Sequence, residues 1–69
     1  MGTVQWLYSS GQNWLSLDTQ AQSQIEKLWS NDQANWVISD SFSGPVYVDT
    51  TQMILLYEGY SYTIARCRV

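Results

Sequence analysis

A chain of 69 residues lies near the smallest length at which one hydrophobic core holds without disulfides or metal, so there is room for a single domain. With 45% apolar and 13% charged residues, four Trp and five Tyr, disorder is excluded, and a single cysteine (Cys67) with no histidine excludes an internal disulfide and any zinc site of recognised spacing. The net charge of −3, with Lys27, Arg66 and Arg68 as the only cations, excludes a nucleic-acid duplex as partner but leaves room for one anionic nucleotide, which oriented N–H groups and one Arg can serve.

Val4–Tyr8 alternates large apolar residues and Asn13–Leu17 follows after Ser9-Ser10-Gly11-Gln12, which predicts a β-hairpin. Asp18 and Thr19 are both N-cap candidates for an amphipathic helix over about 19–30; if Thr19 caps, Gln22 completes a capping box. Asn35–Ser39 reads as a strand, and 40–45 as a turn. Val46–Asp49 and Met53–Tyr57 read as two more strands, Glu58–Ser61 as a tight turn, and Tyr62–Val69 as the last strand.

Strand, strand, helix and four further strands joined by short turns imply an α+β class: an antiparallel sheet of about six strands with the lone helix across it. Such a sheet is expected to curl around the helix and leave an open end where a ligand enters. The longest apolar run, Met53–Tyr57, is far too short for a membrane span, and Met1-Gly2-Thr3 does not begin a signal peptide. The expectation is an intracellular protein, cytoplasmic or nuclear, with no membrane partner.

No catalytic machinery is expected. Cys67 and the serines lack a histidine base, no glycine-rich phosphate loop opens the helix, and Asp40, Asp49 and Glu58 sit beside turns, where solvated caps are the ordinary role. No cofactor is implied. Trp6, Trp14, Trp29 and Trp36 are all expected to pack in the core. Tyr8, Tyr47, Tyr57, Tyr60 and Tyr62 fall at strand ends or turns, where a half-exposed ring is able to stack on a planar ligand. Arg66 and Arg68 share a strand face with Tyr62, a pattern that suits a phosphate or, equally, pairing with the excess carboxylates.

Trp6, Trp14 and Glu26 are separated by eight and then twelve residues, and with Val48-Asp49 followed by Met53 and a basic closing strand at Arg66 the chain resembles the WWE family over residues 4–68. The resemblance implies a half β-barrel on one helix within a larger ADP-ribosylation or ubiquitination protein, and an open end that reads ADP-ribose or iso-ADP-ribose, the internal unit of poly(ADP-ribose). On that basis Tyr8 matches an aromatic that contacts the ligand and Gln12 lies in the same loop as one of the family's contacts, with Tyr62, Arg66 and Arg68 as further candidates, while Trp6, Trp14 and Glu26 are structural signature residues. Three positions depart from the family's binders. The pocket tyrosine is replaced by Val46, with Tyr47 displaced to the opposite strand face; the adenine-reading glutamine is replaced by Leu55; and a phosphate-holding arginine is replaced by Tyr62. Weakened or absent nucleotide binding follows, and a protein-interaction module built on the same fold is the alternative. An unrelated small β-barrel binding peptides or glycans is the third reading.

Overall fold

A computed structural model describes residues 3–68. The elements are β1 (Val4–Ser10), β2 (Asn13–Ser16), α1 (Thr19–Ser30), β3 (Ala34–Val37), β4 (Val46–Asp49), β5 (Ile54–Tyr57) and β6 (Tyr60–Arg68). They form the expected α+β arrangement: one six-stranded sheet in the order β2-β1-β6-β5-β4-β3, antiparallel throughout, with α1 against one face. The sheet is open, with β2 and β3 as its two edges.

Turn chemistry sets the hairpins. Gly11 has φ +63° at the first position of the two-residue β1–β2 turn, where a side chain would be strained, so β1 runs on to Ser10 rather than stopping at Tyr8. Glu58 and Gly59, at φ +48° and +81°, make the two-residue β5–β6 turn, which lets β6 start at Tyr60. Met53 has φ +59° and belongs to the preceding turn instead of β5. The earlier expectations for Met1, Gly2 and Val69 lie outside the described residues.

The helix spans the expected residues, and Asp18 rather than Thr19 is its N-cap, accepting from the Ala21 N–H at 3.1 Å. Gln22 is thereby free of a capping box and ties the helix to β1: its Oε1 accepts from the Trp6 N–H at 3.1 Å and its Nε2 donates to the Leu17 carbonyl at 2.7 Å. At the other end Asp32, with φ +52°, turns the chain out of the helix.

The core lies between helix and sheet: Trp6, Leu17, Ala21, Ile25, Val37, Val46, Val48, Leu55 and Ile64 are all buried. Each of the larger side chains contributes on the order of 1.5–3 kcal/mol on burial. Of the four tryptophans expected there, only Trp6 belongs to it; Trp14, Trp29 and Trp36 are exposed. Trp14 pairs across from Ser9 and Trp36 alternates with buried Val37, so both point to the face away from the helix, each on an edge strand. Trp29 lies at the rim, edge-on to Trp6 and covered on one side by Arg66.

Candidate functional site

Three places gather the side chains singled out above. The first is built on the signature residues. Glu26 accepts from the buried Trp6 Nε1–H at 2.8 Å and from Arg66 through Nε at 3.0 Å and Nη2 at 2.7 Å. The Arg66 guanidinium also lies 4.0 Å from the centroid of a Trp29 ring. The Arg66 hydrogen bond, opposed by partial burial and aided by the Trp6 indole, holds the Glu26 carboxyl below its usual range. The Glu26 bond in turn raises the Arg66 pKa. Glu26 thus ties Trp6 to Arg66, whose guanidinium bonds Glu26 through Nε and Nη2 and lies over Trp29.

The second place is the end of the sheet where Tyr8 and Tyr62 converge, their rings 5.8 Å apart and edge-on. Phe42, from the β3–β4 connection, packs between them and Tyr57, with centroids 5.1 Å from Tyr8, 5.7 Å from Tyr62 and 5.0 Å from Tyr57. The connection is held there by Asp18. Its carboxylate accepts from the hydroxyls of Ser39 and Ser41 and from the Ser41 N–H, while the Ser41 hydroxyl accepts from the Asp18 N–H at 3.3 Å. Burial opposes the charge on Asp18. The hydrogen bonds from Ser39, from the backbone of Asp40, Ala21 and Ser41 outweigh it and bring the carboxyl down to about 2. These bonds, with Gln24 holding both backbone groups of Ile38, also explain why β3 ends at Val37 instead of Ser39.

The expected site residues are thus only partly brought together. Tyr8 and Tyr62 meet; Arg66 sits four residues along β6 from Tyr62, ~13 Å away by strand rise, against the helix. Gln12 is exposed at the hairpin tip, and Arg68 is exposed near the end of β6. Val46 and Leu55 are fully buried, and Tyr47 is on the opposite face from Val46. Asp49 caps its own turn, accepting from the Thr51 hydroxyl at 2.6 Å and from the Thr51 and Gln52 N–H groups, and the Thr51 bond leads the lowering of its pKa against slight burial. Among the described residues no group of three or more Cys, Asp and Glu side chains is placed to hold a metal ion.

The third place was not anticipated. Trp36, Tyr47, Leu56 and Ser61 are successive cross-strand partners on the face away from the helix, a row crossing four strands. Trp36 is 64% exposed and Leu56 38%, and the Trp36 and Tyr47 rings meet edge-on at 5.5 Å. Trp36, Tyr47 and Leu56, with Pro45, Tyr57 and Glu58, line an open groove of about 460 Å³. A second groove of similar size lies between β1 and α1, but the polar groups of Gln22 and Glu26 in it are already bonded to Trp6, Leu17 and Arg66.

No protein-family model, curated protein or solved structure matches this chain. Phe42 escaped the sequence reading because a lone aromatic between serines reads as part of a turn; only the bonds of Ser39 and Ser41 to Asp18, more than twenty residues away, fix the position of the segment that carries it. The outer row had a legible signal in the alternation of Trp36 with Val37 and of Tyr47 with Val46 and Val48.

Proposed function

We propose that this chain is a non-catalytic, WWE-like recognition module that makes protein contacts through the Trp36–Tyr47–Leu56 groove and has lost ADP-ribose binding. In this reading the sheet is a half-barrel on α1 and the Tyr8–Tyr62 end is its open end. The observation that carries the proposal is Phe42: its ring occupies the space between Tyr8, Tyr57 and Tyr62 that a planar base would need. Two further features support it. Leu55, at the position of the family's adenine-reading glutamine, offers no polar group, and Arg66 is already held by Glu26. Losing a charge-assisted hydrogen bond of about 1.5–3 kcal/mol lowers affinity roughly tenfold or more.

By contrast, the outer groove offers what interface centres favour: aromatic and aliphatic side chains, exposed and free of cations. The parent protein is expected to act in ADP-ribosylation or ubiquitination inside the cell; no described helix is long and apolar enough to cross a membrane. The second reading, a weak ADP-ribose reader, is favoured by the convergence of Tyr8 and Tyr62. Calorimetry with iso-ADP-ribose and ADP-ribose separates the two, because the proposal predicts no saturable heat at millimolar ligand. A partner captured by the parent protein should be lost with Trp36→Ala or Tyr47→Ala and retained with Tyr8→Ala. The reverse pattern would refute the groove assignment.

A further inference from the structure

The outer groove carries a single charge. Of its lining residues only Glu58 has a charged side chain, and it sits exposed in the turn that follows β5. Among the described residues no hydrogen bond and no ion pair engages the Glu58 carboxylate; the ion pair present joins Arg66 to Glu26. The chain's own cations are elsewhere. Arg66 is held against the helix, Lys27 lines the hollow between α1 and β3, and Arg68 is exposed near the end of β6.

Aromatic surface surrounds this unpaired carboxylate. Trp36 is 64% exposed, and its ring meets that of Tyr47 at 76° with centroids 5.5 Å apart. Tyr47 lies across from Leu56, one strand or about 4.8 Å away, and Glu58 follows Leu56 by two residues, about 6.6 Å along the chain. Tyrosine ring and carboxylate therefore leave the backbone roughly 8 Å apart, a span that one long side chain laid in the groove can bridge.

The helix side of the molecule shows which side chain such a set of groups selects. There Glu26 accepts two hydrogen bonds from the Arg66 guanidinium, at 3.0 and 2.7 Å, while the same guanidinium lies 4.0 Å from the centroid of a Trp29 ring. A planar guanidinium does both at once, because its N–H groups bond a carboxylate in the plane while its face stacks on a ring. A lysine ammonium is a compact, strongly hydrated charge that gives up its water less readily, and a proline or aliphatic side chain would leave Glu58 without a counter-charge. The outer groove repeats the carboxylate and the rings without the cation. Given that the groove makes the protein contacts proposed above, we infer that it takes an arginine side chain from the partner protein: the guanidinium bonds Glu58 and stacks on the Trp36–Tyr47 pair, and Leu56 packs against its methylene stem. The net charge of −3 favours the approach of such a basic segment.

Selection of a phage-displayed random-peptide library on the immobilised domain, with the Trp36→Ala domain as counter-selection, tests this without knowledge of the natural partner. Trp36 and Glu58 are both exposed, and circular dichroism will report that their variants are folded. Peptides retained by the parent domain alone should share an arginine, and synthetic copies should shift the amide signals of Trp36, Tyr47 and Glu58. Replacing that arginine by citrulline, which keeps its shape and removes its charge, should weaken binding roughly five- to tenfold. Glu58→Gln should weaken the arginine peptide about two- to fivefold and leave the citrulline peptide unchanged, the non-additivity that marks a direct contact. Groove-binding peptides without arginine, or an arginine peptide that tolerates citrulline or Glu58→Gln without loss, would overturn the assignment of arginine and leave the groove a protein-contact surface. Failure to recover any peptide dependent on Trp36 would remove both.

Discussion

Replacing Asp18 with Ala should destabilise the domain through one carboxylate that does two jobs. It caps α1 at Ala21, and it accepts from Ser39 and Ser41 to hold the connection that carries Phe42. Loss of the cap costs about 0.5–2 kcal/mol. The buried Ser39 hydroxyl loses its carboxylate acceptor, and stranding a buried polar group costs about 1–3 kcal/mol. The two share one side chain and do not simply add, so a total of about 2–3 kcal/mol is expected. For a domain of this size each kcal/mol lowers Tm by about 4–8 °C.

The same residue sets a pH signature. The folded pKa is about 2 against an ordinary 3.8, so the contribution is fully present above about pH 4–5 and is lost as pH falls through 2. The shift corresponds at most to ~2.4 kcal/mol, and partial exposure to solvent reduces it to roughly 1–2 kcal/mol. Urea denaturation at pH 7 and at steps down to pH 2 measures both effects. Asp18→Ala should be less stable at pH 7 and show a flatter decline with acid. A variant within 0.5 kcal/mol of the parent at pH 7, a margin typical of surface changes, would refute the reasoning.

Glu26→Ala should cost about 1–3 kcal/mol by leaving the buried Trp6 indole N–H without an acceptor, as read by chemical denaturation followed through tryptophan fluorescence. Leu55→Gln buries an amide among Val48, Ile64 and other core side chains; a loss of about 2–4 kcal/mol in thermal melts and no gain in nucleotide affinity are expected. Glu58→Asn should raise stability by about 0.5–1 kcal/mol, since Glu58 is a non-glycine residue at φ +48° in a two-residue turn that favours asparagine followed by glycine. Differential scanning calorimetry checks it, and an unchanged or lower Tm would count against that turn assignment.

Most of the fold could be read from the sequence because its connections are short. Alternating Val46 and Val48, the Glu58-Gly59 turn and the capped helix from Thr19 each declare themselves within a few residues, and neighbouring antiparallel strands follow from them. The placement of the tryptophans was not legible in the same way. Trp14 and Trp36 lie on edge strands whose apolar residues fall on both faces, so local alternation does not say which face the helix covers. In the candidate site, the meeting of Tyr8 with Tyr62 follows from their both facing the helix side of adjacent strands. The filling of that end by Phe42 depends on bonds between Asp18 and Ser39 or Ser41, a long-range contact that no local pattern announces.

Phe42 fills the tyrosine-lined end, and under the proposed function that filling excludes a nucleotide base. Titrating the 15N-labelled domain with iso-ADP-ribose to about 1 mM tests this most directly, since a site with a Kd of about 0.1 mM would then be mostly filled. The amide signals of Tyr8, Phe42, Tyr57 and Tyr62 are predicted to stay in place. Saturable shifts at those four residues would contradict the account.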